Sequence, residues 1–85
     1  MKLFKIYQNI NTGYDTFDSA VVVANSAEEA QNIHPCDGSD DFLLYDNWVS
    51  RPDLVSVIYL GEVVGEPIRH GIYPGAVICA SFNAG

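Results

Sequence analysis

The segment Ser26-Ala27-Glu28-Glu29-Ala30-Gln31-Asn32-Ile33-His34-Pro35 limits what this chain can fold into more than any other stretch. Ser26 is a good N-cap, and Glu29 three positions on can reach back to complete a capping box. Glu28 and Glu29 lie where the helix dipole favours negative charge. Pro35 closes the helix at or before His34, because the residue before a proline avoids the α region. The result is a helix of about two turns, too short to be stable in water by itself. Ala27, Ala30 and Ile33 fall on one face as a narrow stripe of small residues, which suits close packing on a sheet.

The rest of the chain supplies that sheet. Residues 2–8 alternate as a strand, with Phe4 and Ile6 on one face and Leu3 and Tyr7 on the other. Residues 9–18 gather Asn11, Gly13, Asp15 and Asp18, a turn-forming cluster. The β-branched run Val21-Val22-Val23 makes residues 19–24 a second strand, joined to the first as an antiparallel hairpin with a long tip. Residues 54–60 form a third strand and 76–82 a fourth, separated by a loop rich in glycine and proline. The nearly continuous apolar character of 76–82 predicts a central strand, buried on both faces. The expected fold is a single α+β domain over residues 1–85, in ββαββ order. One short helix packs on one face of a mainly antiparallel four-stranded sheet.

Charge narrows the function classes. The chain of 85 residues carries 11 acidic and four basic side chains, a formal net charge of −7. Lys2, Lys5, Arg51 and Arg69 cannot build a surface for a phosphate backbone, so direct nucleic-acid binding is not expected. No apolar run approaches the ~18–20 residues of a membrane span. The basic start, Met1-Lys2-Leu3-Phe4-Lys5, is not followed by the apolar run of a signal peptide, and a cytoplasmic protein is expected. Cys36 and Cys79 belong to no Cys-x-x-Cys pair and are read as reduced thiols, Cys79 acting as a small hydrophobe within its apolar run. A domain this small buries only about two-thirds of its unfolded surface, which leaves room for stabilisation by a homodimer.

No catalytic pattern stands out. His34 and Cys36 flank Pro35, but a Cys–His pair needs a third group to orient the imidazole, and no familiar signature surrounds them. A histidine at a helix C-terminus is accounted for by its interaction with the last carbonyls. His34, Cys36, Asp37, Asp40 and Asp41 are the densest set of metal-ligand types, yet only His70 or Cys79 could complete a zinc site. The Asp37–Asp41 stretch also lacks the alternating oxygen ligands and closing glutamate of a calcium loop. It reads as a solvated acidic loop, with neither metal nor cofactor. The region 61–75 has glycines but no Lys-Ser/Thr of a phosphate loop.

The surface reading therefore falls on residues 36–53. Asp37, Asp40, Asp41, Asp46 and Asp53 lie there beside Tyr45 and Trp48, and together they are the candidate partner-binding residues. Aromatic anchors within a field of one charge suit a protein interface. The alternative is that Phe42, Leu44 and Trp48 cover one end of the sheet.

Three patterns occur together: Tyr14-Asp15-x-x-Asp18-Ser19-Ala20-Val21-Val22, Ser26-Ala27-Glu28-Glu29-Ala30-x-x-Ile33-His34-Pro35, and Val77-Ile78-x-Ala80-Ser81-Phe82-Asn83-Ala84-Gly85. As a set they resemble a group of small, uncharacterised proteins of bacteriophage and prophage genomes. The resemblance covers about a third of the chain and none of 36–53. It implies a phage origin and an accessory role, and names no catalytic residue. By analogy with such proteins the expected function is non-enzymatic: binding and inhibition of a host protein with a basic surface. A CRISPR-type antiviral effector leads the candidates. A small-molecule sponge for a nucleotide signal, or a virion or assembly component, are the alternatives.

Overall fold

In a computed structural model, which describes residues 1–43, 46–65 and 71–83, the chain opens with the expected hairpin. Strand β1 (Lys2–Tyr7) pairs antiparallel with β2 (Thr16–Ala24), in a register that sets Phe4 opposite Val22 and Ile6 opposite Ala20. All four side chains are buried, whereas Lys5 and Tyr7 are exposed. Alternation along β1 thus sorts core from solvent as the sequence indicates. β2 starts at Thr16, earlier than expected, because the β2–β4 register shifts between Phe17 and Ser19 and leaves Asp18 as an extra residue. Such a bulge lets Phe17 and Ala20 share the core face despite their odd spacing. Asp15 enters the strand at φ 58°, a left-handed conformation that aspartate tolerates better than most residues.

The sheet grows outward from this hairpin. Strand β3 (Ser56–Glu62) adds antiparallel to β1, and β4 (Val77–Asn83) adds antiparallel to β2, giving the order β3-β1-β2-β4. The central position expected for the last strand is therefore wrong. β4 is an edge strand in which Val77 is half-buried and every later residue is exposed. Consecutive strands preferentially pair, so the hairpin takes the centre and later strands can add only to its free edges. Cys79, expected as a buried hydrophobe, is exposed with it, as is Cys36, and both thiols are free.

Helix α1 (Ala27–Gln31) lies across the sheet on β1, β2 and β3. Ser26 Oγ accepts from the Glu29 amide at 3.2 Å, as expected. The return bond is displaced by one residue: Glu29 Oε2 accepts from the amide of Asn25 at 2.7 Å. Ala30 and Ile33 are buried, but Ala27 is exposed, so the apolar stripe is shorter than its spacing suggested. The helix stops at Gln31, within the limit set by Pro35, and Asn32 closes it. The Asn32 amide donates to the Glu29 carbonyl at 3.1 Å and its Nδ2 to the Glu28 carbonyl at 2.8 Å. Gln31 Nε2 donates to the Val55 carbonyl at 3.1 Å, fastening the helix beside the start of β3.

One five-residue helix cannot cover a four-stranded sheet. The remaining core face is filled by the segment after Pro35, which contributes Phe42, Trp48 and Val49 to the cluster formed by Phe4, Ile6, Ala20, Val22, Ala24, Ala30, Ile33 and Val55.

Candidate functional site

Among the predicted partner-binding residues, Trp48 is misplaced by the sequence reading. It is only 3% exposed, flanked by Phe42 at 5% and Val49 at 2%. Its indole meets the His34 ring and belongs to the same buried cluster as Ala30 and Ile33. Trp48 is a core residue, not a surface anchor. Tyr45 and Leu44 lie outside the described residues.

His34 occupies the middle of this end of the core and is fully buried. Its ring meets Phe17 at 6.4 Å, Phe42 at 5.9 Å and Trp48 at 6.5 Å, each edge-on. Edge-to-face contacts of this kind favour a ring whose partners present both π-faces and positive edges. The backbone around it is clasped. The His34 amide donates to Ser39 O at 2.7 Å, and the His34 carbonyl accepts from the Gly38 amide at 2.8 Å. Nδ1 accepts from the Cys36 amide at 3.0 Å. A ring nitrogen that accepts from a backbone amide carries no proton, so the imidazole is the neutral Nε2–H tautomer. Burial pushes its pKa below 6.5, against the opposing pull of Asp37, a side-chain hydrogen bond with Asn47, and Asp41. Cys36 thus engages His34 through its backbone, while its thiol faces solvent. His34 supports the core rather than the helix end at which the sequence had placed it.

The acids ride on top of this anchored segment. Asp37, Asp40, Asp41 and Asp46 are all exposed. Asp37 Oδ1 accepts from the Ser39 amide at 2.9 Å, and Asp41 Oδ1 accepts from the Leu43 amide at 3.2 Å. These Asx turns fix the course of the loop while leaving the charge in water. The hydrogen bonds from the Ser39 backbone and side chain hold the Asp37 carboxyl below the usual carboxylate range. Gly38, at φ 78°, passes so close to β4's lead-in that a Cβ there would lie 2.6 Å from the Gly75 carbonyl oxygen. Only glycine fits both conditions.

Asp53 belongs elsewhere. It sits in a 3-10 turn (Pro52–Leu54) before β3, where its Oδ1 meets Arg51 Nε at 3.3 Å. Both side chains are about two-thirds exposed, so the pair adds little stability, but it offsets the charge of Asp53. No other ion pair occurs among the described residues, so Asp37, Asp40, Asp41 and Asp46 are uncompensated there. Nor do three or more His, Cys, Asp or Glu side chains among the described residues converge as a metal site requires.

Sequence reading missed Gln8, which organises the other side of the site. Its side chain is 6% exposed. Nε2 donates to the carbonyls of Asn11 and Phe17, both at 2.7 Å, and Oε1 accepts from the amides of Ile10 and Asn11, both at 2.8 Å. Asn11 Nδ2 then donates to the Trp48 carbonyl at 3.0 Å, and the Phe17 amide to Asn47 O at 2.8 Å. The hairpin tip is thereby stitched to the far end of the acidic loop. The available signal was an amide side chain at the junction of a strand and a turn rich in asparagine and glycine.

A shallow depression of about 210 Å³ is lined by Ala24, Glu29, Ile33, Pro74 and Gly75. It is smaller than the ~300–1,000 Å³ of ordinary ligand pockets. Its carboxylate is already committed to the Asn25 amide. No family model, curated protein or solved structure matches the chain.

Proposed function

We propose that this protein is a non-enzymatic phage accessory protein that binds and blocks a host protein through its acidic loop. The observation that carries the reading is the display of Asp37, Asp40, Asp41 and Asp46 in solvent, without a cationic partner among the described residues, on a loop whose His34, Phe42 and Trp48 are locked in the core. A charged surface held in a fixed shape meets a basic partner without first ordering itself, which spares the entropic cost of binding. Its field also speeds encounter with such a partner. The resemblance to small phage proteins supports the accessory role. A cytoplasmic host factor with a basic groove fits the charge, and a CRISPR-type antiviral effector is the first target to test. No helix among the described residues is long and apolar enough to cross a membrane. The nucleotide-sponge reading draws no support from the small, acidic depression beside α1.

The test compares wild type with a variant carrying Asp37→Asn, Asp40→Asn, Asp41→Asn and Asp46→Asn as baits in host lysate, at low and high salt. Asparagine keeps the acceptor oxygens of both Asx turns, so the loop retains its shape. The expected result is one dominant basic protein, held by wild type at low salt and lost both at high salt and with the variant. Capture indifferent to salt and to all four substitutions would overturn the proposal.

A further inference from the structure

The two edges of the sheet are chemically unlike. The β3 edge is guarded: it ends in Glu62, which accepts a hydrogen bond from the Tyr59 hydroxyl at 3.0 Å, and the Arg51–Asp53 pair precedes it. Of the usual protections β4 shows, among the described residues, only a bulge, where Ile78 is the extra residue between the Val21–Cys79 and Val22–Val77 pairs. Val77–Asn83 contains no charged residue and no proline, and it lies beyond the helix, which packs on the other three strands. Ile78 is 47% and Phe82 45% exposed. Natural edge strands are ordinarily blunted by charge, proline or cover, because their unpaired amides and carbonyls recruit another strand.

Charge decides what that strand belongs to. All 11 acids of the chain lie at or before Glu66, so β4 is a neutral stretch in a molecule of net charge −7. A basic partner finds nothing on β4 to select it. A second copy meets it with no like charges opposed. The strand also matches itself. In an antiparallel pairing centred on Ala80, Ile78 of one copy stands opposite Phe82 of the other, and Cys79 opposite Ser81. Apolar cross-strand pairs of this kind stabilise a sheet.

We propose that β4 pairs antiparallel with β4 of a second copy across a two-fold axis, joining two four-stranded sheets into one continuous sheet. The interface is isologous and closes, as a C2 contact must. It uses one short strand per copy, well below the ~20–30 residues a side of a standard interface, so the dimer is concentration-dependent. It does not depend on the inhibitor reading.

Sedimentation equilibrium of the full chain over a wide concentration range tests this. The mass is expected to rise from the 9.3 kDa monomer toward twice that value. Rising salt should strengthen the association by screening the net charge, the reverse of its effect on capture of a basic host protein. Ile78→Lys and Ser81→Lys should each hold the protein monomeric at the highest concentration, while Ile58→Lys on β3, 45% exposed in the wild type, should leave dimerisation unchanged. Should a lysine variant fail to fold, the wild-type thiols give a second reading. In the proposed register the two Cys79 residues are diagonal neighbours about 7–8 Å apart. A short bis-maleimide should then yield a crosslinked dimer that survives Cys36→Ser and is lost with Cys79→Ser. A monomer at every concentration, a dimer abolished by Ile58→Lys alone, or a crosslink requiring Cys36 would each overturn the proposal.

Discussion

Replacing Gln8 tests the stitching that holds the candidate site in place. Gln8→Ala removes one donor group and one acceptor that together serve four backbone groups: the Ile10 and Asn11 amides and the Asn11 and Phe17 carbonyls. A buried group left without its partner costs about 1–3 kcal/mol. Ile10 is 61% exposed, so water can reach the turn and repair part of the loss. The expected destabilisation is about 2–4 kcal/mol, measured by urea denaturation at pH 7.5. Gln8→Glu separates hydrogen bonding from packing. It keeps an acceptor for the two amides but, when ionised, sets a carboxylate oxygen against the Asn11 and Phe17 carbonyls, 2.7 Å from the nitrogen it replaces. Protonation restores a donor, so the introduced carboxyl should have a folded pKa above its unfolded value of about 4.3. A group raised in this way binds its proton more tightly in the folded state. Relative to wild type, Gln8→Glu should therefore be least stable near neutrality and recover as pH falls through the raised pKa toward 4.3. A loss below about 1 kcal/mol for Gln8→Ala, or a Gln8→Glu deficit that does not change with pH, would refute the reasoning.

Further expectations rest on the same structure. Ile6→Ala, at a fully buried position in a central strand, should cost about 2–5 kcal/mol, whereas Ile78→Ala on the β4 edge should cost under about 1 kcal/mol in dilute protein, both by chemical denaturation. Trp48→Ala should cost about 3–5 kcal/mol and lower the melting temperature, since it empties the core beside His34; an unchanged melt would return Trp48 to the surface. The depressed pKa of His34 means that the unfolded chain takes up a proton first as pH falls below about 6.5. Stability should therefore decline from that pH downward until the folded ring also titrates, and His34→Gln should flatten this dependence in thermal melts from pH 5 to 8.

The candidate site shows how the core shapes the surface. His34, Phe42 and Trp48 are buried on the sheet face that a five-residue helix leaves open, and Asp37, Asp40 and Asp41 lie between the first two. Asp37 and Asp41 each spend one side-chain oxygen on a local turn, Asp40 and Asp46 make no such bond among the described residues, and Asp53 has its own cation. The five aspartates grouped by sequence proximity thus divide into a displayed set of four and one neutralised on another element. Separation along the chain could not reveal that division, because Arg51 and Asp53 meet through the geometry of the turn before β3.

Local elements are legible along the chain: the hairpin and its faces, through the alternation of Phe4 and Ile6 with Lys5 and Tyr7, and the capped start of the short helix at Ser26. These depend on neighbours within a few residues, where periodicity and capping chemistry act directly. The tertiary structure alone decided which strands are central and where Trp48 lies. An apolar run such as 76–82 has the same composition in the middle of a sheet or at its edge, and its place is set by which strand finds a free partner first. Trp48 is buried because α1 is too small to cover the sheet, a shortage of volume that no window around residue 48 records. Gln8 bonds Ile10 and Asn11 within its own turn and needs the closed hairpin only for Phe17. The places of β4 and Trp48, by contrast, are competitions among distant segments for the same space, settled only once the chain is folded.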